Sequence, residues 1–338
     1  MFKQKLFRNP VVISTILTLL VAITITAIYL LFLKDADRLY LWLSLGVIAI
    51  FYVTFQFTLW LKKKNSAKAQ NLETEEEALS MVIQPLLANS GKKPIYLMLG
   101  NKGSGRRQFL FNSSAIKPMD RTRTAKNDFF EWYESDSAVY IKPDQRLVFQ
   151  EISSSDASLW NTFIEEVIRH RPRKPFSGCL FFIDFEFMIV SEPEQKEYTI
   201  SSLLERLSTI NSKTSSALPI YLIMSKLDKL DGFKEYMHFS SLKTRVEFLS
   251  IPLKEAKGVF SEYYRDSYRN LVKVLESNAL DASANSTDID EKQAILAFPK
   301  QFELCQSEVS YVLERLCDVN NGVYSLDIRE IFFSSSLQ

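Results

Sequence analysis

Histidine is almost missing from this chain: its 338 residues contain two, His170 and His238, beside three cysteines, Cys179, Cys305 and Cys317. Thiols so few and so scattered build no disulfide framework. Two distant imidazoles leave no metal-ligand spacing, so no metal site is expected, and the cysteines read as incidental side chains of a reducing compartment. An excess of one charge is also lacking. Lys and Arg number 41 against 40 Asp and Glu, a formal net charge of +1, and no global basic excess argues for nucleic acid. Glycine is scarce, with nine in the chain, and that scarcity makes its placement informative.

Gly100, Gly103 and Gly105 fall within six positions, directly after the apolar run Ile95-Tyr96-Leu97-Met98-Leu99. Such a run, short and unbroken, predicts a strand covered on both faces. Glycines behind it let the backbone turn tightly and aim successive N–H groups at a phosphate, the arrangement of a G-x-x-x-x-G-K-[ST] loop opening a helix. Gly100, Gly103, Ser104 and Gly105 fit that loop, and the alternative is a plain strand-to-helix turn. The two residues that follow do not fit. Arg106 stands where a lysine reaches the β- and γ-phosphates, and Arg107 where a Ser or Thr hydroxyl holds magnesium. A guanidinium is a broad planar fork, so Arg106 can meet an anion without reproducing a compact ammonium. A cation about 4 Å from a divalent ion, at an effective dielectric of roughly 20, costs on the order of 8 kcal/mol unless the side chain turns away. The pattern predicts a nucleotide-site architecture without its catalytic equipment, and no catalytic residue is assigned.

Two apolar runs precede this domain. Residues 11–33, VVISTILTLLVAITITAIYLLFL, carry no charge, and that length crosses a hydrocarbon core of about 30 Å. Residues 39–61, LYLWLSLGVIAIFYVTFQFTLWL, repeat the pattern with Tyr40, Trp42, Tyr52 and Trp60 partly at belt positions. A cleavable leader has a shorter apolar core and no second run five residues on, so the expectation is a helical hairpin. Lys3, Lys5 and Arg8 precede it, Lys62, Lys63, Lys64 and Lys68 follow it, and the 34–38 loop is neutral, which puts both ends in the cytoplasm.

The expected organisation is a cytoplasmic N-terminus (1–10), a first span (11–33), a periplasmic loop (34–38), a second span (39–61), a cytoplasmic connector (62–93) and a domain over 94–338. In the connector an amphipathic segment near 78–83 is expected to end or kink at Pro85. The domain reads as a helix over 106–113, a basic loop over 117–127, a hairpin of 129–133 with 138–141, and a further strand over 147–152. A helix through Leu159, Trp160, Phe163, Ile164, Val167 and Ile168 stops at the run 169–175, RHRPRKP, where cations suit a helix C-terminus and two prolines forbid continuation. Strands over 178–185 and 218–224 bracket a helix over 198–210. Helices near 254–277 and 293–317 flank a Ser/Asn/Asp-rich linker over 281–290 within an insertion of about 250–318, and a strand over 328–333 closes the chain. Alternating strands and helices predict an α/β fold with a mostly parallel sheet.

Four blocks carry a resemblance: HRPRKPFSG at 170–178, LPIYLIMSKLDKLDGF at 218–233, FPKQF at 298–302 and IREIFFSSSLQ at 328–338. Together with the double apolar run, they make the chain similar to the amino-terminal part of the IcmF/TssM family, inner-membrane proteins of type VI and Dot/Icm secretion. The resemblance implies a P-loop GTPase-like domain with added helices behind a two-helix transmembrane hairpin. The family's D-T-A-G motif then falls on Lys142-Pro143-Asp144-Gln145, without its Asp or Gly. Its [NT]-K-x-D motif falls on Ser225-Lys226-Leu227-Asp228, where Lys226 and Asp228 persist as possible base-reading residues, the alternative being that Asp228 caps the next turn. No cofactor is required, though GTP or ATP is a possible ligand. The resemblance further implies a multi-pass bacterial inner-membrane scaffold in an oligomeric secretion complex. Its partners would be a DotU/TssL-type inner-membrane protein, baseplate components and membrane lipid, with no nucleic acid. A working or regulatory GTP/ATP switch in the same complex is the competing expectation.

Overall fold

The computed structural model describes residues 38–112, 116–118, 128–150, 153–214, 217–241, 244, 249–253, 260–318 and 327–335. The chain divides into two compact units, Met1–Glu75 and Glu76–Gln338. The described part of the first is helical from Arg38 and belongs to a long helix, α1 (Arg38–Asn89). On it Phe57 and Trp60 stack at 5.9 Å, and Ile50, Val53, Phe57 and Trp60 are more than half exposed. The first apolar run, 11–33, lies outside the described residues, as do most side chains of the second. Among the described residues no helix is long and apolar enough to cross a membrane, so both spans are readings of the sequence.

The second unit is built on one eight-stranded sheet. Its strands are β1 (Ile95–Gly100), β2 (Ile116–Pro118), β3 (Phe130–Ser135), β4 (Val139–Pro143), β5 (Gly178–Asp184), β6 (Pro219–Ser225), β7 (Leu249–Pro252) and β8 (Asp327–Phe333), in the order β2-β3-β4-β1-β5-β6-β8-β7. The five central strands β4, β1, β5, β6 and β8 run parallel, and the antiparallel pairs lie outside them. β1, β5 and β6 are buried along almost their whole length, which is why they read as unbroken apolar runs instead of alternating ones. The chain leaves β1 toward β4 on one side and returns to β5 on the other. That reversal makes the carboxyl end of β1 the switch point where open α/β sheets hold ligands.

Around the sheet lie α2 (Arg106–Asn112), α3 (Gln145–Phe149), α4 (Ser153–His170), α5 (Phe185–Val190), α6 (Pro193–Thr214), α7 (Phe233–Phe239), α8 (Phe260–Ala284), α9 (Ile289–Leu304) and α10 (Gln306–Asp318). Phe163 of α4 packs against Phe130, Trp160 and Phe176 at ring distances of 5.7 to 6.5 Å. The helices after β7 are held by a second aromatic chain. Tyr268 stacks on Phe302 at 4.9 Å, Phe302 meets Phe333 of β8 at 5.0 Å, and Phe333 meets Phe185 at 6.3 Å.

Several expectations change. Residues 147–150 of the expected strand 147–152 are not a strand, and 151–152 lie outside the described residues: Asp144 accepts the Arg146 N–H at 2.9 Å and caps α3, which stops at Gln150 in a left-handed conformation. Pro85 ends nothing, because α1 carries it through to Asn89. There Leu79, Ile83, Leu86 and Leu87 are buried, and that tertiary packing outweighs the lost backbone bond. Part of the expected 117–127 loop is β2, paired with β3, and 119–127 lies outside the described residues. Helix α8 runs on to Ala284 and shortens the linker, and the expected last helix is two, broken at Cys305.

Candidate functional site

The loop after β1 is shaped by contact with its neighbours. A Cβ on Gly100 would lie 2.6 Å from the Phe182 carbonyl oxygen and 2.8 Å from Ser104 Oγ. Only glycine lets β5 come so close. Gly103 and Gly105 take φ values of +82° and +74°, the left-handed region that glycine enters without strain. The Asn101 carbonyl gathers the turn, accepting Ser104 Oγ at 2.8 Å and Arg106 Nη2 at 3.3 Å. Ser225 Oγ at the end of β6 donates to the Ser104 carbonyl at 2.8 Å, and Asn101 Nδ2 donates to Asp184 Oδ2 at 3.3 Å. The ends of β5 and β6 therefore hold the loop.

Arg106 points into this turn and not out of it. It is buried, and besides Asn101 it donates from Nη1 to the Met98 carbonyl at 3.3 Å. Burial pulls its pKa down to about 10, against the opposing charges of Glu131 and Asp144. The guanidinium thus occupies the loop's own carbonyls as an internal brace. Arg107 turns to the hairpin, where it hydrogen-bonds Tyr133 and adds its charge beside Glu131. Lys142, at the expected D-T-A-G position, donates to Glu131 Oε1 at 2.7 Å. Burial alone would raise the Glu131 carboxyl, but bonds from Lys142 and Tyr133 with the charges of Lys142 and Arg107 bring it below its ordinary value. Gln145, where the motif's glycine would stand, opens α3.

On the other side of the loop lies a cleft of about 260 Å³, lined by Gly103, Gly105, Phe109, Lys226, Asp228 and Ser335 among others. Lys226 sits at φ +60°, and its Nζ would lie 3.9 Å from a Cβ on Gly103. Burial alone would lower the Lys226 pKa, and the carboxylates of Glu186, at 2.9 Å, and Asp184, at 3.3 Å, outweigh it and raise it. The Asp228 carboxylate accepts Ser335 Oγ at 2.8 Å and faces the cleft. The following 3₁₀ turn has no side-chain cap from its N-cap residue, Lys226. Gly100, Gly103, Ser104, Gly105, Lys226 and Asp228 are thus brought together, while Arg106 and Arg107, read in the sequence as misfits of the loop, are not among the residues lining the cleft. Sequence reasoning did not single out Asp184, Glu186 or Ser335. Asp184 had a signal, as the carboxylate closing the buried run GCLFFID. Among the described residues no group of three or more His, Cys, Asp or Glu could hold a metal ion.

A mostly parallel α/β sheet with a glycine turn at its switch point and a polar cleft beside it defines the class: an open α/β domain with a candidate ligand site at the carboxyl ends of its strands. The family model for the IcmF-related N-terminal domain matches residues 153–338, and the chain belongs to that family. It is also similar to the type VI secretion system component TssM1 of Pseudomonas aeruginosa, 21% identical over an alignment of 293 residues that takes in 78% of this chain and 25% of that protein. The chain thus spans about a quarter of that relative's length. Among solved structures it is similar to the ADP-ribosylation-factor-like small COPII coat GTPase SAR1 of Encephalitozoon cuniculi, solved with GDP. That match has a TM-score of 0.26 and 13% identity, and covers 74% of this chain and 96% of that one.

Proposed function

We propose that this protein is a membrane-anchored scaffold of a bacterial type VI or related secretion complex, with a GTPase-like domain that does not turn nucleotide over. One observation carries the reading: the two arginines at the lysine and hydroxyl positions are both engaged by the protein itself, Arg106 with Met98 and Asn101 and Arg107 with Tyr133. Arg107 itself offers no hydroxyl for magnesium, and Lys142 brings a further cation where the motif places a magnesium-directed aspartate. Membership of the IcmF-related family and the likeness to TssM1 support a place in the secretion membrane complex, with a DotU/TssL-type inner-membrane protein as partner and baseplate contacts beyond it. Anchoring in the inner membrane is supported by the charge-free run 11–33, by the second run 39–61, and by the exposed apolar side chains of α1. Assayed as the full chain in detergent, the protein is expected to show no magnesium-dependent hydrolysis of GTP or ATP. Turnover abolished by Arg106→Ala would refute the scaffold reading.

The cleft favours a second reading, a regulatory nucleotide switch in the same complex. Asp228, Ser335 and Lys226 remain grouped beside the loop and offer a carboxylate to guanine. Calorimetry separates the two. Micromolar GDP binding lost on Asp228→Ala supports the switch, and absence of heat with both GDP and ATP supports the scaffold.

A further inference from the structure

The basic run after α4 is left over by the nucleotide-site geometry, and part of it has no structural employment. Arg169, at the helix end, pairs with Glu166. Arg171 is a clasp: it donates to Ser90 Oγ at 2.6 Å, to the Gly91 carbonyl at 2.7 Å and to the Lys93 carbonyl. Through Arg171 the segment 90–93 is stitched to the segment 169–174. Lys92, Arg173 and Lys174 are thereby drawn to one end of the sheet, where β1 and β5 begin. All three are exposed and have no hydrogen-bond or ion-pair partner among the described residues. A helix C-terminus does not account for them, since its field fades within the last turn and Pro172 puts Arg173 and Lys174 beyond it. The neighbouring acids are already taken, Glu134 by Lys93 and Glu166 by Ser80, Gln84 and Arg169.

We propose that Lys92, Arg173 and Lys174, with Arg169 at their edge, form a docking surface for an acidic segment of a partner protein. Three unneutralised cations on one surface attract a run of carboxylates and steer its approach. The pole lies about 20 Å from the glycine loop, the length of six-residue β1. It is also the end of this unit remote from where the chain enters. Helix α1 enters at Glu76 beside Ser158, passes Glu166 with Ser80 and Gln84, and reaches Arg171 at Ser90. It therefore runs alongside α4 down to the pole. The surface is independent of whether the cleft binds nucleotide.

The test is fluorescence anisotropy of a labelled twelve-residue polyglutamate peptide against the full chain in detergent, at low and at physiological salt. Binding is expected to weaken steeply with salt. It should fall at least about tenfold in Lys92→Ala/Arg173→Ala/Lys174→Ala, three exposed positions whose side chains make no hydrogen bond or ion pair among the described residues. The matched control Arg265→Ala/Arg269→Ala/Lys273→Ala, which removes the same charge from the exposed face of α8, is expected to bind like the wild type. Equal loss in both variants, or no loss in the first, overturns the proposal. So does a result in which vesicles with 30% phosphatidylglycerol, and not the peptide, bind through Lys92, Arg173 and Lys174, because the surface is then a lipid contact.

Discussion

On the proposed reading, arginine at the position of the loop lysine changes what the loop is for. A lysine there waits for phosphate, whereas Arg106 is spent on the Met98 and Asn101 carbonyls and works as part of the backbone's own hydrogen bonding. Arg106→Ala leaves a buried acceptor short of donors, so it is expected to cost about 1–3 kcal/mol in the chemical-denaturation midpoint. An unchanged midpoint would mean that the guanidinium braces nothing. Glu131 makes a second prediction at this scale. Its folded pKa lies below the ordinary 4.5, so its pairing stabilises the fold above that pH and the contribution is lost as pH falls through the folded value. Lys142→Ala is expected to shrink this acid-dependent loss, measured as the difference in denaturation midpoint between pH 7 and pH 4. A difference equal to the wild type's would sink it. The glycines and the two arginines were legible in the sequence because residue type alone states the chemistry. Where the arginines point was not, because it depends on Met98, Asn101 and Tyr133 as neighbours. Asp184, Glu186 and Ser335 were hidden for the same reason: each comes from a different element and becomes part of the site only through the sheet.

Elements were readable wherever burial imposes a period. The strands β1, β5 and β6 and the helix α4 stood close to where their apolar patterns put them. Errors came where a local device beats the pattern. The β-rich composition of 147–152 suggested a strand, yet the Asp144 cap makes 145–149 a helix. Proline suggested an end to α1, yet the buried Leu79, Ile83, Leu86 and Leu87 carry the helix past it. The packing of α7 on α9 had no sequence signal beyond one residue. A Cβ on Gly232, at φ +80°, would sit 1.9 Å from the Ala294 carbonyl oxygen. Gly232→Ala is therefore expected to destabilise by at least about 2 kcal/mol, through overlap with backbone and left-handed strain together. A thermal-denaturation midpoint within one degree of the wild type would contradict this close approach. Arg171→Ala, which removes the clasp on Ser90, Gly91 and Lys93, is expected to speed amide exchange at 90–93 while leaving β5 protected. Unaltered exchange there would show that apolar burial alone holds the end of α1.

At the scale of the whole molecule, the second unit is a mostly parallel α/β sheet whose glycine loop is fastened from within. The loop is tied to β5 through Asn101 and Asp184 and to β6 through Ser225. Such a frame has value as a rigid body presenting surfaces, and that is the role proposed in the secretion complex. The most direct measurement is steady-state release of phosphate from GTP by the full chain in detergent with magnesium, beside Arg106→Ala. The account predicts the same background rate for both proteins. Turnover above background in the wild type that disappears in the variant would contradict it.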